Sequence, residues 1–252
     1  MLYYDFPEAY DLFFSNEFTG ATLDFYKKIF SGTRIKDVLD CTAGTGQMTK
    51  PLVKLGFSVT LSDINRKMIR KARQNFAKEE LEANFSISDI LKLKMNIKRE
   101  FDCVMATGNS LAHIKNEQLP EALNQMDALL RPGGMLYLDS RNWDKILERQ
   151  QRFYLFNPIV REKGRINYLQ VWDYNRDGSM THNFLISEEI ENKIVSKRQF
   201  YVIYYPFENA CLPALLTDMN YENIRIFKLG DPSVKDMDEI DWYTIVANKP
   251  RK

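Results

Sequence analysis

An α/β fold built on a doubly wound, mostly parallel seven-stranded sheet, the Rossmann-like arrangement, is what this sequence predicts. Three observations predict it. Strand-like and helix-like segments alternate over the first two thirds of the chain, which implies parallel βα units with helices on both sheet faces. The first strand runs into a glycine-rich turn. Late in the chain the period changes to two, the mark of an antiparallel β insertion.

The first apolar run, Val38-Leu39, ends at Asp40 inside a strand at about 36–41. Cys41-Thr42-Ala43-Gly44-Thr45-Gly46 follows, then an amphipathic segment. This order reads as strand, tight loop and a helix whose N-terminus faces a ligand. The second strand, at 57–62, closes on another acid, Asp63. Met68, Ile69, Ala72 and Phe76 then recur at helical spacing over 66–77, with Asn65 placed to cap. Strands follow at 84–88 and 101–106. The segment 117–130 puts Leu119, Leu123, Met126 and Leu130 on one helical face, and Arg131-Pro132-Gly133-Gly134 is its stop signal before a strand at 134–139.

From about 150 to 205, Ile166, Tyr168, Gln170, Trp172 and Tyr174 share one strand face, and Phe200, Val202 and Tyr204 share another. Asn175-Arg176-Asp177-Gly178 between them reads as a hairpin turn. The segment 150–205 is predicted as an antiparallel lid inserted into a single domain of 1–252, its aromatic face covering the cofactor edge. A helix at about 208–219 and strands near 223–229 and 241–248 complete the sheet.

Bulk composition narrows the function. At 44% hydrophobic residues, 252 residues suffice for one large core. A net charge of +1 with mixed signs offers no basic stripe for nucleic acid. No stretch approaches the roughly 20 apolar residues that span a bilayer, and Met1-Leu2-Tyr3-Tyr4-Asp5 lacks the basic start of a signal peptide. Cys41, Cys103 and Cys211 lie far apart, without metal-ligand spacing, and the odd count favours reduced thiols in a cytoplasm. Two histidines, His113 and His182, are too few for a metal site. The expectation is a cytoplasmic enzyme acting on a small molecule, with no metal, nucleic-acid or membrane partner and an oligomeric state left open.

The turn at 44–46 carries the chemistry. Gly44 and Gly46 let the backbone turn sharply and let a ligand come close. A dinucleotide fingerprint wants a third glycine where this chain has Thr49. A strand-terminal acid before the turn, with Asp63 17 residues past Gly46, instead suits S-adenosylmethionine. Asp63 would hold the ribose hydroxyls and Asp40 would sit near the cationic methionine end. An ordinary βα turn in an enzyme that binds elsewhere is the alternative at this point.

The chain resembles the S-adenosylmethionine-dependent methyltransferases of class I, and within them the glycine N-methyltransferase group, including the microbial glycine/sarcosine enzymes. The loop from Asp40 to Gly46 and Leu129-Leu130-Arg131-Pro132-Gly133-Gly134 are shared with much of the class. Gly108-Asn109-Ser110-Leu111-Ala112-His113 and Asp139-Ser140-Arg141-Asn142-Trp143-Asp144 are more specific to the group, as are Tyr204-Tyr205-Pro206 and Leu229-Gly230-Asp231. The resemblance implies that Asp63 binds the ribose and that Asp89 faces the adenine amino group. It implies that Tyr10 lies near the carboxylate of the cofactor methionine. Asn109 would contact the substrate amine and stand among the cofactor residues as well. Arg141 would pair with the substrate carboxylate, and Tyr204 would line the substrate pocket. Between Phe18 and Phe25 there is no arginine, where the group uses one on the cofactor carboxylate, and the group's pocket tyrosine falls near Phe184. The animal enzymes' N-terminal extension has no counterpart before Met1, so assembly by that route is not implied.

The function this supports is methyl transfer to the amine of a small amino acid such as glycine or sarcosine. The alternatives are methyl transfer to another small acceptor, an NAD-dependent oxidoreductase, which Thr49 opposes, and an inactive methyltransferase-like interaction module. Each residue also has a structural reading: Asn109 as a helix cap, Arg141 paired with Asp139 or Asp144, Asp89 as a strand-end cap, and His113 as a core residue.

Overall fold

A computed structural model describes residues 3–251 apart from positions 13 and 15. In chain order its elements are α1 (Pro7–Asp11), α2 (Asn16–Phe30), β1 (Asp37–Asp40), α3 (Lys50–Lys54), β2 (Ser58–Asp63), α4 (Arg66–Lys78), β3 (Asn84–Ile87), α5 (Leu93–Asn96), β4 (Phe101–Ala106), α6 (Leu119–Asp127), β5 (Leu130–Arg141) and α7 (Trp143–Arg149). Then come β6 (Phe153–Leu155), β7 (Ile159–Arg161), β8 (Gly164–Tyr174), β9 (Met180–Ile190), β10 (Lys193–Tyr204), α8 (Cys211–Asp218), β11 (Glu222–Lys228) and β12 (Trp242–Asn248).

Seven strands form the main sheet in the order β11-β12-β5-β4-β1-β2-β3. The pairs among β3, β2, β1, β4 and β5 are parallel, while β12 runs antiparallel to both β5 and β11. The central strands are buried and mainly apolar: Val38, Leu39, Val59, Leu61, Val104 and Leu136 are all essentially inaccessible. That is the expected signature of strands covered on both faces. From β1 the chain steps outward to β2 and β3, then returns to place β4 on the other side of β1. A crevice opens outside the carboxyl ends of strands at such a reversal.

The second sheet, β10-β9-β8-β6 with β7 beside β8, is wholly antiparallel. Its turn falls at 175–179, with Gly178 at φ +81°. Tyr168, Gln170 and Trp172 on β8, and Phe200, Val202 and Tyr204 on β10, are the buried faces that the period of two picks out. The end of β10 is tied to the carboxyl edge of the main sheet: Tyr205 N donates to Ala112 O at 2.7 Å.

Two elements differ from the sequence reading. The helix placed at 117–130 stops at Asp127, and Leu130 is the first residue of β5. Leu130 pairs with Phe101 in the parallel ladder, so a tertiary pairing takes over a side chain that helical periodicity had claimed. The segment after the glycine turn is not a long helix either. Turns run to Thr49, and α3 has 5 residues.

The two glycines of that turn have separate tasks. Gly44, at φ +55°, lines a cavity. Gly46 does not: at φ +81°, a Cβ there would lie 2.6 Å from Phe76 Cε2 and 2.9 Å from Leu61 Cδ2, both in the core. Gly46 is therefore the point where α4 packs against the loop, not a point of ligand approach. Gly46→Ala combines left-handed backbone strain with overpacking, and should lower stability by about 2–5 kcal/mol in urea titration. A loss below about 0.5 kcal/mol, the range of an ordinary surface change, would refute this account.

Candidate active site

The cavity lies at the β1/β4 reversal, with a volume of about 430 Å³, within the range of small-molecule sites. Its floor is the loop after β1 with Thr42 and Gly44, and one wall is the end of β2 with Asp63, Ile64 and Asn65. Ser88, Asp89 and Ile90 come from the end of β3, Gly108, Ser110 and His113 from the loop after β4, and Val202, Ile203 and Tyr205 from the second sheet. Tyr4 and Tyr10 close it from the N-terminal segment.

Asp63 is built into this wall by two backbone amides. Gly44 N donates to Oδ2 at 2.9 Å and Asn65 N to Oδ1 at 2.8 Å. Burial raises its pKa, and these two hydrogen bonds oppose the rise. Each carboxylate oxygen keeps a lone pair for a ligand hydroxyl. Asn65 caps α4 through Lys67 N at 2.8 Å, as its position suggested, and ties the segment in front of it by donating to Tyr4 O. Asp89 accepts from Leu91 N at 2.9 Å and also lines the cavity, so its capping and its exposure to a ligand coexist. Tyr10 stands beside both glycine turns: its hydroxyl is 3.9 Å from where a Cβ of Gly44 or of Gly108 would be. Burial, then the neighbouring Tyr204 and Asp63, raise its pKa well above the usual range.

Asp40 is elsewhere. It is fully buried, does not line the cavity, and accepts from Thr42 N, Thr49 Oγ1 and Thr107 Oγ1 at 3.2, 2.7 and 3.0 Å. It holds the loop after β1 against the loop after β4 from below, rather than facing the cavity. Burial lifts its carboxyl to about 7 against those hydrogen bonds. A carboxyl raised in the folded chain keeps its proton where the unfolded chain has lost it. Its contribution is therefore most favourable below about pH 4 and is lost as pH rises towards about 7. Asp40→Asn removes this titration. Between pH 4 and 8 the wild type should lose about 3–4 kcal/mol relative to the variant in urea unfolding; parallel stability curves would defeat the assignment.

A second cluster sits behind the cavity, under β8, β9 and β10. Asp139, on β5, accepts from Gly108 N, Asn109 N and Trp242 Nε1 at 3.1, 2.9 and 2.9 Å. Burial raises its pKa to about 6. Asn109 is held at φ +61° and does not cap through its side chain. Its Oδ1 accepts from Arg141 N and Ser140 Oγ, while Nδ2 is buried without a partner. Arg141 makes no ion pair among the described residues. Asp139 is occupied as above, and Asp144 accepts from Asn209 N. The Arg141 guanidinium instead lies 4.7 Å from the Trp242 ring and 5.3 Å from the Trp172 ring, with Nε buried and unbonded. Tyr204 is stacked on His113 at 4.5 Å and forms the partition between cavity and cluster.

Sequence reasoning passed over several cavity residues. His113 Nδ1 donates to Ile203 O at 3.2 Å, so Nε2 of the neutral ring accepts from the Tyr4 hydroxyl at 2.8 Å. Burial pushes His113 down to about 4. No local spacing links these residues, which are 109 and 90 positions apart. Tyr205 lines the cavity although Tyr204 does not. Strand alternation allows at most one of the two to face it, and the one that does is Tyr205, just past the end of β10, not Tyr204 as the resemblance implied.

Residues 38–134 match the family model described as a methyltransferase domain. The chain is 25% identical over 232 residues to the glycine/sarcosine N-methyltransferase of Aphanothece halophytica, covering 90% of this chain and 81% of that protein. It is 32% identical over 146 residues to the enzyme of the same name from Parasynechococcus marenigrum, covering 57% of this chain and 52% of that one. Against the glycine N-methyltransferase of Rattus norvegicus it is 38% identical over 122 residues, covering 44% and 42%. The match thus spans about half the length of these last two relatives or less. Among solved structures, an S-adenosylmethionine-dependent methyltransferase from Clostridium acetobutylicum shares the fold with a TM-score of 0.78 at 17% identity, covering 98% of this chain and 99% of that one.

The fold and these matches point to one class: residues 38–134 carry a methyltransferase domain, and the chain is similar along most of its length to S-adenosylmethionine-dependent methyltransferases. Its curated relatives of modest identity carry the name glycine or glycine/sarcosine N-methyltransferase. The oxidoreductase reading falls with this result. Among the described residues no group of side chains could hold a metal ion, and no helix is long and apolar enough to cross a membrane.

The cavity suits the family's cofactor. Its lining is mainly apolar around two half-buried acids, Asp63 and Asp89, and Asp63 matches the vicinal diol of a nucleoside.

Proposed function

We propose that this protein transfers a methyl group from S-adenosylmethionine to the amine of a small amino acid, with glycine and sarcosine as first candidates. One observation carries the choice of an amino acid: a half-buried arginine at the end of β5 with a buried, unbonded Nε and no acidic partner among the described residues. A half-buried cation without a carboxylate partner is suited to an anionic ligand, and a guanidinium matches a carboxylate with two parallel hydrogen bonds. The names of the relatives point the same way.

The cofactor, when bound, supplies a methyl group on a sulfonium, a good leaving group that requires no metal. The chain's part is positioning and exclusion of water, worth about 7–11 kcal/mol in well-oriented systems. Asp63 receives the ribose hydroxyls, and Asp89 with Ile64 and Ile90 frames the base. Tyr10, between Gly44 and Gly108, stands at the passage towards Tyr204. Asn109 fixes the main chain of Arg141 through Oδ1 and turns Nδ2 inward as a donor to the acceptor molecule. Trp172 and Trp242 hold the guanidinium by cation–π contact.

A panel of amines, amino acids, amino sugars and phenols, screened by thermal shift with S-adenosylhomocysteine present and then by mass of the methylated product, tests this. Stabilisation and turnover with glycine or sarcosine are expected. Turnover confined to acceptors without a carboxylate would replace the proposal with a different small-molecule methyltransferase.

A further inference from the structure

Four buried polar atoms on four different segments have no partner in the cluster behind the cavity: Asn109 Nδ2, Arg141 Nε, Trp143 Nε1 and His182 Nε2. Asn109, Trp143 and His182 are at most 1% exposed. Buried polar groups are nearly always satisfied, so several orphans in one cluster point to a polar ligand as their missing partner. They are joined by direct contacts. The His182 ring stacks on Trp172 at 4.0 Å and meets Tyr204 edge-on at 4.5 Å; Trp143 lies 5.5 Å from Tyr204; Arg141 rests on Trp172. Three of the four atoms are N–H donors, whatever their surroundings. Only the imidazole nitrogen can accept.

His182 is neutral here, because burial and then the charge of Arg141 push its pKa far down. It is also held rigidly. On β9 it pairs with Trp172 of β8 and Val202 of β10, and its ring lies within 14° of the indole plane.

We propose that His182 is a specificity residue of the acceptor chamber: its Nε2 accepts a hydrogen bond from the N–H of the methyl acceptor, while Arg141 and Asn109 donate to the acceptor's carboxylate. This rests on the amino acid reading above. Trp172 then carries the carboxylate anchor and the N–H acceptor on one rigid indole, which spaces them for an α-amino acid. A limit on the reaction follows. Each transfer forms an N–CH₃ bond from the nitrogen lone pair, breaks the S–CH₃ bond to leave a thioether, and releases one N–H proton to solvent. With the amine neutral, glycine and sarcosine each present an N–H to His182. Dimethylglycine presents none, so the series ends there.

The test uses the full chain, with His182→Phe and His182→Gln. For glycine and sarcosine, His182→Phe should raise KM by about tenfold or more while the affinity for S-adenosylhomocysteine stays within about twofold. His182→Gln, which keeps an acceptor, should recover most of the loss. The chain has two histidines, so a ¹⁵N-histidine spectrum contains two rings, and His182→Gln identifies one by its disappearance. In the wild-type complex with S-adenosylhomocysteine, adding a turned-over acceptor should shift the His182 Nε2 signal. An unmoved signal overturns the proposal, as does unchanged KM in a folded His182→Phe; if that variant does not fold, the signal still decides, and a trimethylated product from the wild type overturns the proposal by itself. Wild-type turnover of only non-carboxylate amines would instead defeat the amino acid reading, and the same spectrum with such an amine would still decide the role of His182.

Discussion

Replacing Arg141 by lysine should lower kcat/KM for glycine and sarcosine by about 10- to 100-fold, and replacing it by alanine should cost more. Lysine keeps the charge but not the planar fork, and so forfeits one of two charge-assisted hydrogen bonds, worth about 1.5–3 kcal/mol. It also weakens the cation–π contacts with Trp172 and Trp242, at 5.3 and 4.7 Å, that help fix where the charge sits. The affinity for S-adenosylhomocysteine should stay nearly unchanged, because Arg141 does not line the main cavity. The measurement pairs kcat/KM for each acceptor with a calorimetric Kd for the cofactor product. A merely structural arginine would show the opposite pattern: no change with lysine, which can pair with Asp139 or Asp144 as well as arginine can. Those carboxylates already accept from Gly108, Asn109, Trp242 and Asn209, which leaves that alternative little support.

Most of the framework was legible because its signals are local. The acids ending β1 and β2, the apolar spacing of α4 with its Asn65 cap, and the alternation on β8 and β10 all sit within a few residues of the elements they define. Where the reading failed, the deciding partner was distant. Leu130 is strand and not helix because Phe101 pairs with it. Asp40 looks like a ligand-facing acid until Thr107, 67 residues on, supplies its third hydrogen bond. Gly46 looks like its neighbour Gly44 until Phe76 fills the space beside it. The cluster around His182 depends on Trp172, Tyr204 and Arg141 converging from three strands, a relation that no spacing in the sequence contains.

Asp63→Ala should weaken binding of S-adenosylhomocysteine by about 100-fold, and Asp63→Asn by about tenfold. Two losses contribute. The first is recognition: a carboxylate accepting from ribose hydroxyls makes charge-assisted bonds worth about 1.5–3 kcal/mol together. The second is order in the loop, since Gly44 N and Asn65 N both donate to this carboxylate at 2.9 and 2.8 Å. Asparagine retains one oxygen and keeps part of each. An analogue of S-adenosylhomocysteine lacking the 2′ and 3′ hydroxyls separates the two contributions. The wild type should bind the analogue much more weakly than the parent compound, whereas Asp63→Ala should scarcely distinguish them. If Asp63 only orders the loop, the wild type and the variant will discriminate between the two ligands equally, and recognition of the ribose must then be assigned to another group lining the cavity.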